Sequence, residues 1–315
     1  MMRTFVTLIL AACALPVQAF EAECIVPSKP GGAMDLTCKL AQKALATAGG
    51  PRVRLSYMPG GIGAVAWHTL VSQRRAEPDT LVAFSGGSLL NLAQGKFGKA
   101  KAGDVRWVAA IGADYGMIAV RADSPYHTLR ELFDAIRSDP QKVVIAVSGT
   151  IGSQDWVKMA LLAQHAGIDP KRLRFVALEG GGESFTAMGA GFVQVVSGDA
   201  SEAGLYAGGN VRILAVLAEK RLPGVLKDVP TAREQGIDVV WPLIRGVWMG
   251  PAVSDADYRR WVAAFERMEA APDFARLRAE AGLYPFSMTG DALTRHIKQA
   301  VTDYNRQAEQ FHLVR

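Results

Sequence analysis

The chain has 315 residues, half of them hydrophobic, with 35 Lys and Arg against 30 Asp and Glu and a formal net charge of +5. The surplus is mild and scattered, without blocks of like charge. That argues against a nucleic-acid partner and leaves a solvated surface with a slight attraction for anions. A chain of this length exceeds what one hydrophobic core usually organises, so two lobes are expected.

At the N-terminus, Met1-Met2-Arg3 precedes the apolar run Phe5 to Leu15, and Val17-Gln18-Ala19 has the small-residue spacing of a signal-peptidase site. Residues 1–19 are therefore expected to be a secretion signal that sends the remainder to the periplasm. Leu10-Ala11-Ala12-Cys13 also resembles a lipoprotein signal, which makes lipid anchoring at Cys13 the minor alternative. No later segment approaches the roughly 20 uninterrupted apolar residues of a membrane-spanning helix. Beyond the signal, Cys24 and Cys38 are the remaining cysteines. An oxidising compartment favours a disulfide between them, with two buried free thiols as the alternative. Closing a loop of about 15 residues in this way is worth on the order of 3 kcal/mol in the chain-entropy model.

Five units of strand, glycine-rich turn and helix follow. The first is Glu23 to Pro27, Lys29-Pro30-Gly31-Gly32 and a helix from about Asp35 to Ala46. The second is Val53 to Tyr57, Pro59-Gly60-Gly61-Ile62-Gly63 and a helix containing Ala64 to Val71. The third is Leu81 to Phe84 followed by Ser85-Gly86-Gly87-Ser88. The fourth is Val143 to Val147, then Ser148-Gly149-Thr150-Ile151-Gly152-Ser153-Gln154 and a helix through Trp156 to His165. The fifth is Arg174 to Leu178, then Glu179-Gly180-Gly181-Gly182-Glu183 and a helix into Met188. This alternation predicts an α/β fold in which each lobe is a doubly wound sheet flanked by helices. The apolar runs Met117 to Val120 and Val247 to Met249 flank a middle block with its own strands and helices, the pattern of a chain that crosses between lobes twice. Residues 20–121 plus 245–315 are expected to form lobe 1 and residues 122–244 lobe 2. The tail from Ser254 to Gln310 reads as amphipathic helices packing back on lobe 1.

An α/β fold alone does not decide function, and the signatures of catalysis are missing. Gly61-Ile62-Gly63-Ala64-Val65-Ala66 fits a relaxed dinucleotide fingerprint. The following strand, however, ends in Phe84-Ser85 with no acid for a ribose, so no nicotinamide cofactor is expected. Neither Gly-x-Ser-x-Gly nor a phosphate loop ending in Gly-Lys-Ser/Thr occurs. Ser88, Ser153 and Ser184 read as helix caps. The histidines form no ligand pairs, so no metal is expected. The expectation is a binding protein without cofactor or enzymatic activity.

In open sheets, ligands sit beyond the carboxyl ends of the strands, where all five glycine-rich turns lie. A helix start exposes unpaired N–H groups and carries about half a positive charge, so it binds anions without a cationic side chain. Glycines at 31, 32, 61, 63, 86, 149 and 181 (Gly31, Gly32, Gly61, Gly63, Gly86, Gly149, Gly181) let a ligand approach such starts closely, with Ile62 beside them. Several starts converging in one cleft suit a small polycarboxylate. Hydroxyls of Ser28, Ser85, Ser88, Ser148, Thr150 and Ser153 and the amide of Gln154 add donors. Lys29 and Arg245 are the charged residues expected nearest the cleft. Arg245 lies at the second crossover, either clamping a carboxylate bidentately or packing on the hinge. Asp35 would repel a carboxylate, so it is assigned to capping its helix or orienting the first loop. Tyr115 and Asp199 complete the candidates.

With these runs on the page, and with Asp35-Leu36-Thr37-Cys38-Lys39-Leu40, Phe84-Ser85-Gly86-Gly87-Ser88-Leu89-Leu90-Asn91 and Ile151-Gly152-Ser153-Gln154-Asp155-Trp156 among them, the sequence resembles the periplasmic solute receptors of tripartite tricarboxylate transporters, the Bug family. The match spans essentially the whole mature chain and is close to the family's citrate-binding members. The resemblance implies a type II-like Venus-flytrap fold that closes on an organic acid, citrate or a related tricarboxylate. It also implies a monomer delivering that acid to a two-subunit membrane permease, commonly driven by a sodium gradient. Receptors for C4–C5 dicarboxylates or amino-dicarboxylates, and a ligand sensor for a two-component kinase, remain alternatives. Typical members read Val-Pro-Phe-Pro-Ala-Gly-Gly in the first loop, where this chain has Ser28-Lys29-Pro30 in place of Phe-Pro-Ala. The second loop, Pro59-Gly60-Gly61-Ile62-Gly63-Ala64, is also shorter than usual. Both departures leave room and donors for an additional carboxylate.

Overall fold

The computed structural model describes residues 21–206, 209–310 and 313. The expected signal segment and Cys13 lie outside the described residues.

β1 (Ala22–Val26) is buried at every position, as an apolar strand flanked on both sides must be. It feeds α1 (Ala33–Thr47), whose inward face includes Cys38, Ala41 and Leu45. The disulfide Cys24–Cys38 joins these two elements, with Cα atoms 5.7 Å apart. β2 (Val53–Tyr57), α2 (Ala64–Ser72), β3 (Thr80–Ser85) and α3 (Gly86–Ala93) follow. β1 pairs in parallel with both β2 and β3.

β4 (Arg106–Arg121) is a 16-residue strand that serves both halves of the molecule. After it come α4 (Leu129–Ser138), β5 (Val144–Ser148), α5 (Gln154–His165), β6 (Arg174–Leu178), α6 (Gly181–Gly189), β7 (Val195–Asp199), α7 (Ala200–Tyr206) and β8 (Val211–Leu217). β9 (Pro242–Met249) then returns the chain to the first half, which α8 (Asp255–Ala270), α9 (Phe274–Glu280), β10 (Met288–Thr289) and α10 (Gly290–Gln310) complete.

Up to Tyr115, β4 pairs with β9. From Gly116 onward it pairs with β7 on one side and β8 on the other. β5 pairs in parallel with β6 and β7. The sheets are therefore mixed rather than wholly parallel. β4 leaves the first half and β9 comes back beside it, so the two must run antiparallel to each other. The handover is tight, because Tyr115 is in register with Pro242 and Gly116 N–H donates to Trp241 O at 3.0 Å.

Each half has its own core. In the first, Trp67, Phe84, Phe97, Trp107 and Trp248 pack together with Leu293 and Ile297 of α10, while Trp261 and Phe265 of α8 pack with Cys24 and Leu45. The tail helices thus bury apolar faces on the first half, as their periodicity predicts. In the second, Phe133, Ile145, Trp156 and Leu217 share a core.

The glycine-rich turns are more helical than their composition suggests. Ser85, not Ser88, is the N-cap of α3, its Oγ accepting from Gly87 N–H at 3.1 Å, and Ser88 Oγ accepts from Ser85 N–H at 3.3 Å to complete a capping box. Gly181 and Gly182 lie inside α6, where a Cβ on Gly182 would stand 2.6 Å from Pro30 O. Close approach of another backbone, not a turn, requires glycine there.

Candidate functional site

The two halves meet along a cleft lined from both sides. Ten of the residues singled out in the sequence line it: Ser28, Gly32, Ile62, Ser85, Ser148, Ser153, Gln154, Gly181, Asp199 and Arg245. The N-terminal turns of α1, α3, α5 and α6 all open onto this one space, through Gly32 and Ala33, Ser85 and Gly87, Ser153 and Gln154, and Gly180 and Gly181.

The other candidates lie elsewhere. Gly61, Gly149 and Thr150 line a neighbouring opening that shares Ile62 with the cleft. Gly86 and Tyr115 face a separate pocket beside Phe286 and His296. Gly63, at φ +94°, faces Pro27 and Phe97 and supplies the left-handed turn into α2. Gly31 N–H donates to Asp35 Oδ2 at 2.9 Å. Asp35 also accepts from Tyr57 Oη at 2.9 Å and Lys39 Nζ at 2.7 Å, so this acid ties the first loop to the start of α1. Lys29 is half exposed and pairs with Glu183 of the other half at 2.9 Å, outside the cleft lining.

The charges at the base of the cleft are already paired. Arg245 of β9 donates through Nε and Nη2 to Asp114 Oδ2 of β4, at 3.2 and 3.0 Å, and through Nη2 to Asp199 Oδ2 of β7. Lys158 of α5 stands 2.8 Å from Asp155 Oδ1 and 2.9 Å from Asp199 Oδ1. Asp114 further accepts from Ser201 Oγ at 2.6 Å and Ser201 N–H at 3.0 Å. Burial alone would raise the Asp199 carboxyl, but Lys158 and Arg245 outweigh it and hold Asp199 below its ordinary value. The same pairing keeps Lys158 charged despite complete burial.

Glu202 of α7 is the cleft's unmatched acid. Its Oε1 accepts from Ala33 N–H at 3.1 Å in the first turn of α1, and its Oε2 accepts from Asp199 N–H at 3.1 Å. It therefore bridges the halves through backbone donors, and among the described residues no cation forms a salt bridge with it. Burial, followed by the charges of Asp199 and Asp155, pushes its carboxyl up to about 8, which favours the protonated form near neutral pH. Its tip occupies space left by a missing side chain, since a Cβ on Gly181 would lie 1.8 Å from Glu202 Oε1. Although several carboxyls gather here, no group of them is placed to hold a metal ion among the described residues.

The sequence reading missed Asn91, Asp155, Gly180 and Glu202 as lining residues, along with the buried Asp114 and Lys158 behind them. A search for glycine turns passes over Val195–Asp199 and Ala200–Tyr206, because that strand-to-helix junction is acidic. A residual signal is the Ser197-Gly198-Asp199-Ala200-Ser201-Glu202 run, with acids three apart at a strand end.

A two-lobed α/β molecule with helix starts converging on a cleft between its halves has the fold seen in periplasmic binding proteins. The structure of the periplasmic binding protein BugD matches it with a TM-score of 0.82 at 18% identity, over 93% of this chain and 98% of that one. MatC of Rhodopseudomonas palustris with bound malate matches with a TM-score of 0.77 at 21% identity, over 93% and 99% of the two chains. An R. palustris structure with adipate gives 0.79 at 19% identity, over 92% and 96%. In sequence, a UPF0065 protein of Bordetella pertussis (strain Tohama I) is 24% identical over 302 residues, 93% of this chain and 91% of that protein.

The family model for the tripartite tricarboxylate transporter family receptor matches residues 90–313, and the chain belongs to that family. It is a solute-binding receptor, not an enzyme.

Proposed function

We propose that this receptor binds citrate or a related tricarboxylate between its halves, in the periplasm, and delivers it as a monomer to a two-subunit permease. The observation that carries the reading is the convergence of four helix N-termini, those of α1, α3, α5 and α6, on one cleft. Each start offers unpaired N–H groups and partial positive charge, so together they match several carboxylates at once. Ser28 and Ser148 add hydroxyl donors, and Arg245 contributes the cationic side chain.

In this reading the lobes divide within a few residues of the bounds 20–121 plus 245–315 and 122–244 read from sequence, with the crossings at Tyr115–Gly116 and Trp241–Pro242 and the hinge where β4 and β9 run side by side. Ligand contacts made only when the lobes meet would stabilise closure. The secretion signal read in residues 1–19 accounts for the location.

A second reading is a dicarboxylate ligand, favoured by the malate and adipate present in two of the matched structures. Calorimetry of the mature protein with citrate, isocitrate, tricarballylate, succinate and glutamate separates the two. Saturable binding of a tricarboxylate is expected; binding of succinate or glutamate with citrate ignored would overturn the proposal.

A further inference from the structure

We infer that Gln154 selects ligands that carry a hydrogen-bond donor, a hydroxyl or an ammonium group, on the carbon skeleton between their carboxylates. The inference rests on the receptor reading above and narrows its substrate class.

Gln154 is the first residue of α5 and lines the cleft. Its Nε2 donates to Asp199 Oδ2 at 2.9 Å. That contact fixes the amide, because the reversed orientation would set Oε1 against a carboxylate oxygen, and two acceptors repel. Asp199 is itself pinned by Lys158 and Arg245, so it cannot turn to relieve the amide. Gln154 also packs on Gly87 of the other half, where a Cβ would lie 2.8 Å from Oε1 and leave no space for the side chain. The result is a carbonyl oxygen of fixed orientation. It is buried, and no donor reaches it among the described residues.

Asn91 of α3 repeats the pattern from the first half. It lines the same cleft, is 3% exposed, and its Oδ1 is buried without a donor among the described residues. Asp199 lines the cleft beside these two amides, with its own oxygens engaged by Lys158, Arg245 and Gln154 Nε2, so the two amide oxygens are the acceptors left without a donor. Carboxylate oxygens, which only accept, are served by the helix starts and cannot satisfy these two amide oxygens. A ligand hydroxyl or ammonium satisfies them. A binding site built around a polar partner discriminates strongly against the analogue that lacks it, because its buried group is then left unpaired.

Matched acids read this out by calorimetry on the intact mature protein: citrate against tricarballylate, malate against succinate, and aspartate against succinate. The donor-bearing member of at least one pair is expected to bind about tenfold tighter or more, and the hydroxy and amino arms show which donor is preferred. Gln154→Met, which keeps the length and removes the acceptor, should reduce that ratio to below about threefold, with folding checked by its melting curve. Donor-free acids binding as tightly as their partners to the unaltered protein would overturn the inference alone, whether or not the variant folds. So would a preference that survives in folded Gln154→Met. If none of these acids binds, the receptor reading for them falls and takes this inference with it.

Discussion

Arg245 Nη2 stands 3.0 Å from Asp114 Oδ2, and both residues are almost fully excluded from solvent. The guanidinium also holds Asp199, so one side chain braces three strands, β9, β4 and β7, where the chain passes between halves. Much of its charge is neutralised by the protein before any ligand arrives. Arg245 lines the cleft while its Nε and Nη2 are engaged by the protein's own carboxylates at the crossover.

Arg245→Met is therefore expected to destabilise the fold by about 3–5 kcal/mol, the usual cost of stripping one partner from a buried ion pair. Asp114 and Asp199 would be left buried against each other. Urea denaturation measures the loss, and adding Asp114→Asn should restore part of it. An unchanged midpoint in Arg245→Met would show that the network is not a brace.

Glu202 sets a pH dependence whose sign is fixed. Its carboxyl is raised from 4.5 to about 8 in the folded chain. Between those values the folded protein keeps a proton that the unfolded chain releases, so stability from this group declines as pH rises through the window. Melting temperatures of wild type minus Glu202→Gln should fall from about pH 5 to about pH 8, since glutamine stays neutral throughout. A flat difference curve contradicts the assignment.

Gly181→Ala should perturb the cleft directly. The new methyl would sit 1.8 Å from Glu202 Oε1, and withdrawing the carboxyl would strain its two backbone hydrogen bonds, Oε1 with Ala33 N–H and Oε2 with Asp199 N–H. Overpacking of this kind costs about 1–3 kcal/mol, and displacement of Glu202 from Ala33 N–H should weaken ligand binding as well. Denaturation and calorimetry on the same sample test both effects.

Reduction of Cys24–Cys38, or a double Cys→Ser variant, should lower unfolding free energy by about 3 kcal/mol in the chain-entropy model. Side-by-side melts with and without reductant give the value. Tight ligand binding should offset part of the loss by mass action.

Lys29→Ala should matter little. The Lys29–Glu183 pair is solvent-exposed on both sides, and such pairs contribute weakly and fade with salt. Ligand affinity is expected to change by less than about threefold. A larger effect that persists at high salt would place Lys29 in the cleft after all.

What the sequence determined by itself follows from local rules. Alternating strands, glycine turns and amphipathic helices specify an α/β fold, and Ser153 caps its helix where expected. The cysteine pair and the glycine-opened helix starts at Gly32 and Gly181 were legible for the same reason, because each depends on residues near one another in the chain. Tertiary structure alone decided the rest. Lys29 is drawn away from the cleft by Glu183, which is 154 positions distant, and Arg245 is engaged by Asp114, 131 positions distant. Glu202 enters the cleft only because α7 packs against the start of α1. Burial and pairing of charge are properties of the assembled core, and no local pattern carries them.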